Sequence, residues 1–202
     1  MTLVTLPRDV TLRSTDATWT AADWEGLPHD GQRYEIIDSV LYVSTAPSLF
    51  HQWIIQEIYT VLRQQLAIPG IGFVFLAPVG VFMPGCDPVQ PDLVVVRQAD
   101  RDMLRDRRVY GVPALLVEVL SPSTVEQDLV VKRAAYARAG VPEYWAVRPA
   151  TRDLLVHSEP EPASGQYLQV THVPPDGELV SPTLPLRAAI AIFFAGAPDT
   201  TL

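Results

Sequence analysis

The chain has 202 residues, of which 48% are hydrophobic, and its formal net charge is −8 at pH 7. This length and composition fit one domain with a sizeable core and exclude a disordered or fibrous chain. The one cysteine, Cys86, excludes an internal disulfide and fits a reducing compartment. We find no signal-peptide pattern and no apolar stretch of the roughly 18 residues that span a bilayer, so we expect a cytoplasmic protein without membrane contact.

The charge also limits how the chain can bind nucleic acid. An acidic surface opposes phosphate binding, which depends mostly on Lys and Arg, so a nucleic-acid-binding protein of this composition would need local basic groups or bound metal ions. The fifteen basic residues are fourteen arginines and one lysine, Lys132. Lysine is a compact charge with a tunable pKa, whereas arginine is a bulky, permanently charged fork. Lys132 is therefore a candidate for a chemical role. Alternatively, it remains a lysine by chance and lies on a solvated helix.

The N-terminal half is predicted to alternate short strands with one long helix. We expect a weakly ordered arm over residues 1–18 and exposed, charged residues at 98–108 in a loop or short helix. A Gly/Pro-rich loop is predicted at 83–90. The regular elements are a short helix at 21–24 capped by Thr20, a hairpin of 33–37 and 40–43, a helix of about twenty residues opened by Ser48, and strands at 73–76, 79–82 and 92–96.

The C-terminal half contains the most informative order of elements. A buried strand at 115–120 is followed by a helix at 125–139, which ends at Gly140, and by a strand at 143–147. This order predicts a right-handed crossover and a parallel pair of strands. The remaining elements are a β-meander at 154–156, 167–170 and 178–180 and a final apolar helix at 186–194. The sequence therefore predicts a single α/β domain.

Glu118 lies in the middle of an almost wholly apolar strand. A buried carboxylate is costly unless it is paired or bound to a metal ion. Strand alternation places it on the same face as Leu116 and Leu120. The alternative is a structural glutamate that is hydrogen-bonded to the backbone or to an arginine.

Two further residues complete a candidate reaction centre. Asp92 follows Pro91 at the start of a strand, where a carboxylate is also an ordinary turn residue. One helix face carries Asp128, Lys132 and Tyr136. Lys132 therefore either forms a surface ion pair with Asp128 or extends along the packed interface to the sheet. Two carboxylates and a lysine suit Mg²⁺-assisted hydrolysis, in which the carboxylates bind the ion and the lysine stabilises negative charge.

Several segments, taken together, match one known family. They are Tyr34–Asp38, His51–Gln52, Pro91–Val96, Leu116–Thr124, Asp128, Lys132, Tyr136 and Gly140–Trp145. With these segments the sequence resembles the Uma2 family of restriction-endonuclease-like proteins, within the PD-(D/E)XK nuclease superfamily, over roughly residues 20–195. The resemblance implies a restriction-endonuclease-like fold with a mixed central sheet, flanking helices and a C-terminal β-meander, in one domain over 1–202.

The resemblance also implies the roles of individual residues. Asp92 and Glu118 would bind Mg²⁺, with Mn²⁺ as a substitute, and the main-chain carbonyl of Val119 would be an extra ligand. Glu35 would be a further acidic member of the catalytic site. Lys132 would be the catalytic lysine.

Three positions need separate comment. The superfamily usually has its lysine two residues after the glutamate, which is Leu120 here, so the role moves to the following helix. His51 either touches a phosphate or a water or is a structural histidine. Cys86 has no His or Cys near it in sequence, which argues against zinc.

These observations predict a Mg²⁺-dependent DNA endonuclease, a metal-dependent hydrolase. One alternative is a catalytically silent module that binds nucleic acid or protein on a nuclease scaffold. A further alternative is a small-molecule phosphodiesterase, because a fold does not fix a substrate. Cutting both strands of a duplex favours a homodimer.

Overall fold

Two mixed β-sheets, a small hairpin and a few helices make up residues 11–197, which are the residues that this computed structural model describes. The strands are β1 (Thr11–Arg13), β2 (Arg33–Ile37), β3 (Val40–Ser44), β4 (Gly72–Leu76), β5 (Gly80–Met83), β6 (Cys86–Val89), β7 (Leu93–Arg97), β8 (Leu104–Arg105), β9 (Arg108–Tyr110), β10 (Leu115–Val119), β11 (Glu143–Arg148), β12 (Asp153–Glu161), β13 (Gln166–Val173), β14 (Glu178–Val180) and β15 (Arg187–Ala189). The α-helices are α1 (Ala21–Glu25), α2 (Leu49–Leu62) and α3 (Arg133–Ala139). Two π-helical segments, Arg63–Ala67 and Gln127–Lys132, adjoin α2 and α3, and 3-10 helices cover Gln98–Met103 and Ile190–Phe193.

The central sheet has six strands in the order β13-β12-β11-β10-β7-β4. Only β10 and β11 run parallel in it, and the chain between them passes through α3, as the order strand, helix, strand predicts. A second sheet has the order β1-β3-β2-β6-β5-β9-β8, with β5 and β9 parallel. The confirmed fold class is therefore a mixed α/β fold with large mixed sheets and few helices.

The central strand β10 separates two cores. Val117 and Val119 face the core that contains the apolar stripe of α2, whereas Leu116 and Leu120 face the core that contains the inner side of α3. Because side chains alternate along a strand, Glu118 points to the α3 side. The strand thus places one carboxylate on the α3 side of the sheet, on the face that the sequence predicts.

The predicted helix ends and the first hairpin are confirmed. Thr20 caps α1, and the Ser48 hydroxyl caps α2 by accepting the N–H of His51 at 3.2 Å. Helix α3 ends at Gly140, whose φ of +82° provides the left-handed C-cap. Asp38 and Ser39 join β2 to β3 with φ values of 49° and 61°, as a two-residue hairpin turn requires. In residues 11–197, no helix is long and apolar enough to cross a membrane.

Three predictions in the N-terminal half were wrong in part. Of residues 98–108, expected as a loop or short helix, residues 98–103 form a 3-10 helix, but 104–105 form β8 and residue 108 begins β9. Of the expected arm, residues 1–10 lie outside the described residues, but residues 11–13 form β1 and pair with β3. Inside the expected loop 83–90, residues 86–89 form β6, which pairs with β2 and β5. In each case a neighbouring strand supplies the pairing, and local composition carries no signal for it.

The C-terminal predictions were partly wrong as well. The β12–β13 hairpin extends the central sheet, as the predicted meander requires. Strand β14, however, pairs with β15 instead of β13. The apolar segment 186–194 forms β15 and a 3-10 helix instead of an α-helix. Short apolar runs do not distinguish a buried strand from a buried helix, which explains this error.

Strand β12 also buries a histidine, His157, inside an aromatic cluster. Its ring stacks on Tyr144 with 5.4 Å between ring centroids and lies 5.6 Å from the ring of Tyr167. Neither ring nitrogen has a hydrogen-bond partner among the described residues. Burial, together with the positive charge of Arg133, lowers the pKa of His157 to about 4. The folded chain therefore holds this imidazole neutral at pH values where an exposed histidine is charged.

We predict that His157 lowers the free energy of unfolding as the pH falls from about 7 to about 4. Over this range the unfolded chain takes up a proton near pH 6.5. The folded chain takes up this proton only when the pH approaches the lowered pKa of about 4. His157→Phe keeps the ring stack and removes the titration, so its free energy of unfolding should depend less on pH. Urea unfolding at several pH values measures this, with the exposed His29→Gln as the control. Equal pH dependence in wild type and His157→Phe would contradict the neutral, buried imidazole.

Candidate active site

The catalytic and metal-binding residues predicted from the sequence border one cleft of about 510 Å³. The cleft lies between β2, the start of α2, the end of β10 and the helical segment that leads into α3. Its lining includes Glu35, His51, Asp92, Glu118, Val119 and Lys132. Side chains from four separate elements therefore meet with that of Asp92, which directly precedes β7, and this is the convergence that a shared reaction centre requires.

Asp92 reaches the end of β10 because β7 and β10 are antiparallel neighbours. Their last paired residues are Leu93 and Val117, so Asp92 lies beside the residues that follow Val117. The Val119 N–H donates to Oδ2 of Asp92 at 2.8 Å. The carboxylate thus takes the position of a strand partner where the β7 pairing stops.

Positive and polar groups surround the Asp92 carboxylate. The Arg33 guanidinium donates from Nη2 to Oδ1 at 2.9 Å, and Nε2 of His51 lies 3.3 Å from Oδ2. Burial acts to raise the pKa of Asp92, but Arg33, His51 and the Val119 N–H outweigh it and hold the pKa well below its usual range. Asp92 is therefore an anion at physiological pH.

A second cluster surrounds the ammonium of Lys132. Nζ donates to Oε1 of Glu118 at 2.9 Å and lies 3.0 Å from Oε1 of Glu35 and 3.3 Å from Oδ1 of Asp128. The Tyr136 hydroxyl donates to the same oxygen of Glu118 at 2.8 Å. Each of the four charged residues is at most 3% exposed. One buried ammonium is thus shared by carboxylates from β2, β10 and its own helical segment.

Three carboxylates around one ammonium leave an excess of negative charge. Burial raises the pKa of Glu118 well above its usual range and also raises the pKa of Asp128, although Lys132 opposes both shifts. Burial alone would lower the pKa of Lys132, but Glu118, Glu35 and Asp128 outweigh it, so the pKa lies well above its usual range. Lys132 stays charged, and the cluster favours any further positive charge that reaches it.

Glu35 is held through both of its carboxylate oxygens. Its Oε1 accepts the main-chain N–H of Gln90 at 2.8 Å, and its Oε2 accepts the amide of Gln127 at 3.2 Å. Sequence reasoning missed Gln127 and also Arg33. A signal for Arg33 existed, because residues 33 and 35 of a strand point to the same face. No local signal distinguishes Gln127 from a surface glutamine.

The oxygen donors at the end of β10 are of the kind that Mg²⁺ prefers. Asp92 and Glu118 supply carboxylates, and the Val119 carbonyl faces Asp92 because the N–H and C=O of a strand residue point the same way. Among the described residues no group donates to Oε2 of Glu118. Within residues 11–197, no three His, Cys, Asp or Glu side chains are grouped closely enough to hold an ion. The donors therefore fit Mg²⁺ in kind, and binding would require Asp92 and Glu118 to exchange contacts with Arg33 and Lys132.

We predict that Lys132→Met lowers the free energy of unfolding by about 3–5 kcal/mol, because it leaves buried carboxylates without their shared cation. Lys132→Arg should also destabilise the protein, since a planar fork does not fit where a compact ammonium lies. Adding Glu118→Gln to Lys132→Met should recover part of the loss by removing one buried negative charge.

Urea unfolding measures these differences. Arg107→Met is the matched control, since this side chain is 90% exposed and its loss should change stability by less than about 0.5 kcal/mol. A Lys132→Met variant as stable as wild type would refute the role of the ammonium in holding the cluster together.

Comparison with known proteins places this geometry in a family. Residues 4–192 match the Uma2 family, which is described as "Putative restriction endonuclease". Among solved structures, the chain is similar to a nuclease, described as putative and as belonging to DUF820, from Anabaena variabilis ATCC 29413. The TM-score is 0.73 at 18% identity, over 87% of this chain and 97% of that one, which shows a common fold. No curated protein matches the chain. Since the family match spans nearly the whole sequence, the chain belongs to the Uma2 family.

Proposed function

We propose that this protein hydrolyses phosphodiester bonds in DNA with the help of Mg²⁺. The observation that carries the proposal is the buried Lys132 ammonium among three carboxylates, with the anionic Asp92 in the same open cleft. Membership of a family described as restriction endonucleases, and a fold like that of a nuclease, support the same reaction.

In the proposed site, Asp92, Glu118 and the Val119 carbonyl would hold the ion. Bound Mg²⁺ would polarise a phosphoryl oxygen and acidify a water molecule. Asp92 is suited to this role because its lowered pKa keeps it anionic. The rigid N–H of Val119 fixes its orientation.

The other residues position charge around the phosphate. Lys132 stays protonated, so its Nζ can donate to a phosphoryl oxygen as negative charge develops there. The Tyr136 hydroxyl donates to Oε1 of Glu118 and so fixes that oxygen, whereas Oε2 is not part of this hydrogen bond. Glu35 accepts hydrogen bonds from Gln90 and Gln127 and lies against Lys132, which suits it to holding the ammonium in place.

We predict that wild-type protein nicks supercoiled plasmid in Mg²⁺ or Mn²⁺ and that Asp92→Asn, Glu118→Gln and Lys132→Met each slow nicking about 100-fold or more. Gel analysis of initial rates measures this, with circular dichroism to verify that each variant is folded. Glu178→Gln, at an exposed position on β14, is the control and should cut like wild type.

Equal cleavage by wild type and the folded site variants would rule out this assignment. Cleavage of bis(p-nitrophenyl) phosphate without nicking would instead indicate a small-molecule phosphodiesterase. Cutting both strands of a duplex would call for two copies related by a two-fold axis, so the homodimer is part of the same proposal.

A second candidate function is a catalytically silent module that binds nucleic acid or protein. It is favoured by one specific observation, namely that Arg33, His51 and the Val119 N–H already engage both oxygens of Asp92. A site satisfied in this way does not need an ion for its stability.

We predict that calorimetry detects Mn²⁺ binding to wild type and that Asp92→Asn and Glu118→Gln abolish it, because each removes a charged oxygen ligand. Bound ion should also raise the thermal unfolding midpoint of wild type only. A folded wild-type protein without detectable binding at millimolar Mn²⁺ would favour the silent module.

A further inference from the structure

Arg33 lies at the junction of two cavities. One is the cleft of about 510 Å³ that contains the carboxylates, and the other has about 760 Å³. Both are bordered by Arg33, by Asp92 and by residues 45–47. The Arg33 side chain is 20% exposed, so it is held in place yet accessible.

Most of the hydrogen-bonding capacity of Arg33 is unused. A guanidinium has five N–H donors in a planar fork. Nη2 donates to Oδ1 of Asp92, and among residues 11–197 no other acceptor is bonded to this side chain. Such a fork matches two oxygens of a phosphate group, which an ammonium cannot do in the same way.

The larger cavity has a lining that suits a nucleic-acid strand. Gln52 and Gln56 of α2 offer amide donors and acceptors, and Tyr59 adds an aromatic ring to the lining, the residue type on which bases stack. Arg107 and Arg108 line the same cavity and add positive charge in a chain whose net charge is −8. Arg108 is already paired with a carboxylate at 2.6 Å, and Arg107 is 90% exposed. Arg33 is thus the partly buried arginine that joins this lining to the reaction centre.

We propose that Arg33 binds a backbone phosphate of a nucleic-acid strand that passes from the larger cavity into the cleft. The N–H groups of the guanidinium that Asp92 does not use would bind the phosphate. The inference rests on the proposed function and adds to it a substrate-binding residue and the path of the strand.

The test is binding of a fluorescently labelled single-stranded oligonucleotide in EDTA, measured by anisotropy, so that no hydrolysis is needed. Arg33→Met should weaken binding at least about tenfold and reduce the dependence of log K on log salt by about one ion. Arg33→Lys should restore only part of the affinity, because it keeps the charge without the fork. Arg187→Met is the control, since this exposed arginine lines neither cavity.

A purely structural role for Arg33 makes a different prediction. If Arg33 only neutralises Asp92, then Arg33→Met should have no effect in an Asp92→Asn background. If Arg33 binds phosphate, the tenfold loss should persist in that background. The double variant has no uncompensated charge at this pair, so it remains informative even where Arg33→Met alone unfolds.

The outcomes separate this inference from the proposed function. Binding that depends on Arg33 without any nicking in Mg²⁺ would overturn the nuclease proposal and leave the phosphate-binding residue intact. Nicking by a protein whose oligonucleotide binding does not depend on Arg33 would overturn the inference alone. Wild type that binds no oligonucleotide in EDTA or in Ca²⁺ would also overturn the inference.

Discussion

The buried ammonium of Lys132 is the interaction on which the site depends. Three carboxylates, Glu35, Glu118 and Asp128, approach one another from different elements, and without a cation between them their burial would be strongly unfavourable. The helical segment can therefore dock on β10 only in the register that brings Lys132 over Glu118. The same requirement explains a lysine in a chain with fourteen arginines, because contacts of 2.9–3.3 Å to three carboxylates suit a compact ammonium.

The two predicted metal ligands have different electrostatic characters although they lie at neighbouring strand ends. Asp92 receives a guanidinium, an imidazole and a main-chain N–H, and its pKa falls. Glu118 lies deep in an apolar layer with other carboxylates near it, and its pKa rises despite Lys132. One carboxylate thus has a fixed negative charge, whereas the charge on the other depends on which cation accompanies it. Opposite shifts in a neighbouring pair are common where acidic groups have separate chemical roles.

The sequence predicts those parts of the site for which neighbouring residues carry the signal. A carboxylate within the apolar run of β10 marks Glu118, and the order strand, helix, strand brings Lys132 back over the sheet. The segment 86–89 was mispredicted because local composition carries no signal for its pairing with β2 and β5. The segment 186–194 was mispredicted because a short apolar run does not distinguish a strand from a helix. Arg33 was within reach of strand alternation, since it lies two residues before Glu35. The hydrogen bond from Gln127 to Glu35 depends on helix geometry that residue types do not encode.

That helix geometry is the π-helical segment Gln127–Lys132. Gln127 and Lys132 both contact Glu35, although they are five residues apart. In an α-helix, residues at this spacing point about 140° apart around the axis, so only one of them could face the carboxylate. A π-helix closes its bonds between residues five apart and turns both side chains in the same direction. The π-helical turn therefore determines the directions in which these two side chains point, and rewinding it as an α-helix of the same number of residues would place the amide and the ammonium about 140° apart around the axis.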